Sequence, residues 1–295
     1  MQNSVTNDNL GCFLPLLTTV AGSCLTGANW QEAGVDVASC QLASLLLKPG
    51  YVFLKQLANL GAYCDWPQRI ALNASMPASK EGVYTLRSPY DGSKIRPTVD
   101  EILELVAHLQ PQLVILPADV LQLNATSWKT LPDSVLPFFA AEALPPSSEP
   151  RAYGVYFNYQ PTTSLASFMQ AVSPYLHCPI YVAGDLSLAS MQALINLGVG
   201  YVESDCPAAD ACQGHVYSGG GVMPLQDTDY ATQFTVIDED CRCPTCSQQF
   251  TRAYLHHLLH HTPLLCQRFL IQHNVYFTRS LIGKMKLRLS SFTPA

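Results

Sequence analysis

The sequence contains no aspartate or glutamate after residue 240, yet that stretch carries seven basic side chains: Arg242, Arg252, Arg268, Arg279, Lys284, Lys286 and Arg288. Of the totals of 16 basic and 22 acidic residues, positions 1–240 therefore hold nine and 22, a balance of -13. The net charge of -6 taken alone argues against a nucleic-acid partner. Its distribution does not, because a basic terminal segment on an acidic body is either a solvated helix face or a phosphate-binding surface.

Charge is scarce throughout, at 13% against 48% hydrophobic residues, which excludes a chain that is mainly disordered. No G-x-G-x-x-G or G-x-x-x-x-G-K-[ST] run occurs, which weighs against the common nucleotide-binding folds. No apolar run reaches the length of a membrane span. Phe13 to Cys24 (FLPLLTTVAGSC) has the look of a secretory core, but no Lys or Arg precedes it, so it reads as a first buried strand. There is no internal repeat. At 295 residues the chain suits one large α/β barrel or two modest domains, with about 75% of its surface buried on folding. Eleven cysteines are an odd number in a chain of this size, so a reducing cytoplasm is expected rather than a disulfide framework.

Short apolar runs alternate with helical periodicity. Leu113–Leu116, Ala152–Phe157, Ile180–Val182 and Gly200–Val202 read as buried strands. Thr98 to Gln110 opens with Thr98-x-x-Glu101, a capping box that starts a helix. Thr163–Leu176 and Ser187–Leu197 carry apolar residues at helical spacing. This alternation implies βαβ units and a parallel sheet, but periodicity does not choose between an open sheet and a closed barrel. Leu144 to Pro150 (LPPSSEP) is a proline-rich loop too short for a domain linker.

Cys241-Arg-Cys243-Pro-Thr-Cys246 sets three thiols in six residues, a turn that can aim all three sulfurs at one tetrahedral Zn²⁺. The fourth ligand is open on spacing alone, since His256, His257, His260, His261, Cys266 and His273 all follow. A set of three thiolates plus one more ligand leaves no position for water, so the site reads as structural.

The run 241–274, CRCPTCSQQFTRAYLHHLLHHTPLLCQRFLIQHN, resembles the C-terminal signature of the tRNA-guanine transglycosylases: C-x-C-x-x-C, then an R-A-Y-L-H-H-L segment (Arg252 to Leu258 here), then a His-Asn pair. The resemblance implies His273 as the fourth zinc ligand, with one extra residue before it. It places His256 and His257 in a helix beside the metal. It further implies a (β/α)8 TIM-type barrel over residues 1–240 and a zinc-binding, basic helical subdomain over 241–295. Asp205 to Tyr217 (DCPAADACQGHVY) is similar to the family segment that carries its covalent nucleophile, which puts that role on Asp205. Such a carboxylate traps the ribose at C1′ when guanine leaves, and the incoming base then displaces it.

Departures accompany the matches. The family's loop arginines are Ala209 and Cys212 here, and Asn73, in IALNASMPA, stands where the family has a second catalytic aspartate. The I-F-D-E-like strand end that reads the base becomes LPAD, with Asp119 one place late. Tyr181-Val-Ala-Gly184 resembles the family's Y-L-M-G turn but continues with Asp185. Asp119, Gly184 and Asp185 are accordingly the candidate substrate-binding positions. The similarity runs from about residue 43 to residue 288 and is densest at the zinc end. Three functions follow as expectations. The first is guanine exchange in tRNA through Asp205, as in queuosine-type modification. The second is a degenerate subunit paired with an active transglycosylase, since the family forms homodimers and heterodimers. The third is action on another base or nucleoside.

Overall fold

In the computed structural model, residues 11–123, 126–145, 149 and 151–290 are described, with side chains as far as Met285. Part of the proline-rich loop (146–148 and 150) and the side chains of Lys286 and Arg288 lie outside that set.

Eight parallel strands form one sheet: β1 (Cys12–Leu14), β2 (Val37–Gln41), β3 (Arg69–Asn73), β4 (Leu113–Ile115), β5 (Leu136–Ala140), β6 (Gly154–Tyr159), β7 (Ile180–Gly184) and β8 (Tyr201–Glu203). Each pairs with its sequence neighbour from β2 to β8, and β8 pairs with β1 in register Cys12↔Tyr201. The seam between β1 and β2 closes just beyond β1, where Ser39 donates to Pro15 O at 2.9 Å and Leu17 donates to Ser39 O at 2.8 Å. The sheet is therefore a TIM-type barrel, the closed alternative that periodicity had left open.

The expected first strand ends early. Only Cys12–Leu14 is extended, because Pro15 follows and the chain turns through Thr18–Gly22 into β2's neighbourhood. The predicted helix 163–176 is helical over Leu165–Val172 and tightens into a 3-10 turn at Ser173–Tyr175, where Pro174 removes a donor. Thr98 accepts from Glu101 N at 3.2 Å and Glu101 Oε2 accepts from Thr98 N at 2.8 Å, so the capping box starts α1 (Val99–Leu109) as read.

Two cores result from the two-residue period of the strands. Leu14, Val37, Ala71, Leu113, Ile115, Phe138, Tyr156, Tyr181, Ala183 and Tyr201 fill the barrel itself. Their neighbours, such as Ala38, Cys40, Leu72, Val114 and Val182, pack outward under the helices. Those helices include α2 (Leu165–Val172), α3 (Leu188–Leu197), α4 (Cys206–Cys212), α5 (Arg252–His261) and the 28-residue α6 (Pro263–Ser290). Between β8 and α5 the chain inserts α4, an antiparallel hairpin of β9 (His215–Ser218) and β10 (Gly221–Pro224), and the cysteine turn. Helix α6 returns to the barrel and lies against α4, α3 and β1.

Candidate active site and metal centre

The inward phase of three strands brings three polar side chains to the C-terminal end of the barrel, where barrel enzymes carry their chemistry. Ser39 follows Val37, Asn73 follows Ala71, and Glu203 follows Tyr201, each two residues on and each facing in. Glu203 is 2% exposed. Its Oε2 accepts from Ser39 Oγ and from Tyr181 OH, both at 2.5 Å, and its Oε1 accepts from Asn73 Nδ2 at 3.1 Å. Burial raises the Glu203 carboxyl above the ordinary range, and the three donors oppose that shift. Asn73 is itself fixed, since its Oδ1 accepts from Ser75 N at 3.1 Å and Ser75 Oγ at 2.6 Å. That geometry sets the amide's orientation: the nitrogen must face the carboxylate. An ionised aspartate at 73 would have no proton to offer there.

Asp205 lies two residues beyond Glu203 but outside the strand. Its φ and ψ of -89° and -10° turn the chain into α4, and its side chain swings to the rim, where Oδ1 accepts from Thr19 Oγ1 at 2.8 Å. Burial pushes the Asp205 carboxyl up to about 6, against the Thr19 hydrogen bond and with added repulsion from Glu203. Asp205 and Asn73 are thus not joined by a hydrogen bond; Glu203 is the carboxylate that meets Asn73. Sequence reasoning missed Glu203, although its signal was there in the strand phase set by Tyr201.

The other candidate positions take separate places. Asp119 accepts from Ser79 Oγ at 2.5 Å and Tyr84 OH at 2.6 Å. Although burial works the other way, those hydrogen bonds hold its carboxyl below the usual range. Gly184 ends β7 at φ +144°, and a Cβ there would stand 2.2 Å from Tyr159 O, so only glycine fits. Asp185 is exposed. Beside the buried cluster a cleft of about 520 Å³ opens over β3–β6, lined by Ser75, Met76, Ala118, Glu142, Tyr156 and Asn158 among others. None of Asp119, Gly184, Asp185 and Asp205 lines it. In α4, the places expected for loop arginines hold Ala209 and Cys212.

The metal centre assembles from the cysteine turn and α6. The His273 Nδ1 atom stands 3.7, 3.3 and 3.4 Å from the Sγ atoms of Cys241, Cys243 and Cys246. All four ligand atoms lie within 4.8 Å of one another. A tetrahedral ion with bonds of about 2.3 Å to sulfur and about 2.0 Å to nitrogen has S···N edges of about 3.6 Å, so the donor set fits a metal ion. His273 Nε2 lies 2.6 Å from Tyr217 O and donates to it, leaving the Nδ1 lone pair for the ion. Cys243 and His273 are fully buried. Hydrogen bonds from Cys241 and Cys243 pull the Cys246 thiol down to about 4, while contacts with Cys241 and Cys246 push Cys243 up. Such a cluster cannot carry three thiolates without a cation.

The remaining histidines do something else. His256 Nδ1 lies 2.8 Å from Leu225 O, and the ring centroids of His256–His260 (edge-on) and His257–His261 (tilted) lie 4.6 and 4.3 Å apart along α5. They form no second metal cluster among the described residues. The basic segment is likewise partly spent within the chain. Arg252 binds Val236 O, Ile237 O and Gln233 Oε1 at 3.0, 3.0 and 2.8 Å, and Arg279 pairs with Asp36 at 2.9 Å. No helix among the described residues is long and apolar enough to cross a membrane.

Comparison with known proteins agrees with this arrangement. Residues 153–291 match the sequence model of the family described as queuine tRNA-ribosyltransferase. The chain is 32% identical over 120 residues to the queuine tRNA-ribosyltransferase of Clostridium acetobutylicum, covering 40% of this chain and 32% of that one. It is 32% identical over 108 residues to that of Clostridium kluyveri, covering 37% and 28%. These two matches therefore span about a third of each relative's length. A longer match, to the enzyme of Idiomarina loihiensis, is 22% identical over 327 positions and covers 95% of this chain and 87% of the relative. With the cysteine–histidine cluster in place behind an eight-stranded barrel, the chain is similar to the queuine tRNA-ribosyltransferases, most clearly over residues 153–291.

Proposed function

We propose that this chain acts on tRNA as the non-exchanging subunit of a transglycosylase, paired with a catalytic homologue. One observation carries the reading: the inward carboxylate at the end of β8 is Glu203, sealed from solvent and bound by Ser39, Tyr181 and Asn73. A nucleophile needs a free lone pair facing the sugar, and a general acid needs a second titratable group. Glu203 is held by three donors and closed off from solvent, so it has no lone pair free toward an incoming sugar, and Asn73 cannot supply the second. The four-ligand centre holds Zn²⁺ as a structural ion that fixes residues 241–295 as a subdomain on the barrel 1–240.

The test is incorporation of labelled guanine into tRNA by the purified chain, alone and after co-expression with a catalytic family member from the same source. The expected result is no exchange alone and a stable complex that exchanges. A chain that exchanges by itself overturns the proposal.

Asp205 supports a second reading, in which it is the nucleophile of guanine exchange. It is half-buried at the rim directly after β8, and its carboxyl sits near 6. Exchange by the chain alone, abolished by Asp205→Asn, is the outcome that establishes it.

A further inference from the structure

Four of the nine basic residues of the acidic body fall between positions 80 and 96, in the loop that leaves β3 for α1: Lys80, Arg87, Lys94 and Arg96. That loop follows the C-terminal end of a barrel strand, so it rises on the same face as the mouth. It folds as a small antiparallel hairpin with register Leu86↔Ile95 and Arg87↔Lys94. The alternation sends Leu86 into the core, at 7% exposure, and puts Arg87 and Lys94 out together. Arg96, two residues past Lys94, is also exposed.

Like charges directly opposed across a ladder destabilise it, so this pairing works against the hairpin's own stability. Among the described residues none of Lys48, Arg87, Lys94 and Arg96 forms an ion pair. The acid in the turn, Asp91, is committed to Ser93, accepting from its N at 3.1 Å and its Oγ at 2.8 Å. The hairpin is nevertheless held firmly. Ser88 donates to Ser93 O at 2.8 Å, Tyr84 donates to Pro97 O at 2.9 Å, and Tyr84 OH reaches Asp119 at 2.6 Å. Asp119 therefore has a use: it anchors the base of a cationic finger.

At the tip, Tyr90 is 73% exposed, and Lys48 from the loop after β2 places its Nζ 5.3 Å from the ring centroid. A rigid row of unpaired cations ending in an exposed aromatic ring suits a chain that carries a phosphate at every step and bases that can stack.

We propose that the Arg87–Lys94–Arg96 face, with Tyr90 and Lys48 at its tip, is an RNA-binding surface. The cations contact successive phosphates, and Tyr90 stacks on an unpaired base. This surface is separate from the C-terminal basic segment, whose Arg252 and Arg279 are already engaged. The inference rests on tRNA being the partner, as read above, but not on whether the chain exchanges bases.

The experiment is a titration of a fluorescent tRNA transcript with the full, metal-loaded chain at several salt concentrations. Each phosphate contact contributes about 0.7 to 0.9 to the slope of log affinity against log salt. The triple variant Arg87→Gln, Lys94→Gln, Arg96→Gln should lose about two to three from that slope and weaken binding at least about tenfold. Tyr90→Ala should weaken binding about fivefold with the slope unchanged. Lys55→Gln with Lys129→Gln, at ion-paired positions elsewhere, serves as the control. Since every substituted side chain is exposed and the triple variant removes the Arg87–Lys94 repulsion, thermal melting should not fall, and a lowered melting point is met by repeating the titration with single variants.

An unchanged slope in the triple variant overturns the proposal, as does wild-type protein that fails to bind tRNA. So does a variant that loses binding to phosphatidylserine vesicles while keeping its affinity for tRNA. Guanine exchange by the chain alone would overturn the non-exchanging reading and leave this surface standing; an unchanged salt slope would do the reverse.

Discussion

Asn73 donates from Nδ2 to Glu203 Oε1 across 3.1 Å, joining the ends of β3 and β8 over the centre of the barrel. With Ser75 holding the other side of the amide, the residue at 73 must be a donor toward the carboxylate. The absence of an aspartate is thus matched by what faces it.

Asn73→Asp tests that match. Two carboxyl groups at hydrogen-bond distance cannot both ionise in a buried site, so one retains a proton and its folded-state pKa rises above the unfolded value. A raised acid gives its full stability below the unfolded pKa and loses it as pH rises through the folded one. Denaturant unfolding should show the variant close to wild type near pH 4 and about 2–4 kcal/mol less stable at pH 8. Equal destabilisation at both values would refute the contact's role.

Asp205 gives a second pH-dependent expectation. Its pKa near 6 means that ionising it costs the native state energy that accumulates between about pH 4 and 6. Discounted for partial exposure, this is about 1–2 kcal/mol. Asp205→Asn keeps the Thr19 hydrogen bond and should be more stable than wild type by that amount at pH 7, with no gain at pH 4. The difference between the two melting curves measures it.

Removing the metal should unfold the C-terminal unit first. Cys243→Ser leaves three ligands around a buried site and should cost about 3 kcal/mol, a drop of about 6–12 °C in Tm. Elemental analysis of wild type should give one zinc per chain and of the variant far less. A metal-free wild type with an unchanged melting point would remove both the site and the reading built on it.

Arg252 is expected to be structural. Its guanidinium spans two carbonyls and the Gln233 side chain, a fork that lysine cannot reproduce. Arg252→Lys should cost about 2–3 kcal/mol in chemical denaturation, while tRNA affinity falls no more than the stability loss explains. A variant as stable as wild type but weaker in RNA binding would return Arg252 to the phosphate-binding set.

The residues that sequence reasoning placed well are those whose chemistry is local. Cys241, Cys243 and Cys246 lie on one turn, and Thr98 and Glu101 share a single helical start, so spacing alone describes each. The strands β2 (VASCQ) and β5 (LPFFA) went unread, because one mixes small and polar residues and the other contains Pro137. Closure of the barrel depends on hydrogen bonds between Leu17, Ser39 and Pro15, which no single-segment pattern reports. Glu203 was passed over for a similar reason. Asp205 stands beside Cys206 in a recognisable string, whereas the inward position is decided by where β8 stops, two residues earlier. The hairpin's cation pair was hidden as well, since Arg87 and Lys94 become neighbours only once the register is known.

One more consequence lies in the residue next to the metal ligand. Asn274 accepts from Tyr217 N at 3.0 Å and donates to Pro207 O and His215 O at 3.0 and 2.9 Å, while His273 holds Tyr217 O. An ion bound by His273 and the three cysteines would therefore clamp the start of α4 and strand β9 from a single turn of helix. If it dissociates, backbone amides over residues 207–217 should exchange with solvent before those of the barrel, making the segment beside Asp205 a local gauge of metal content.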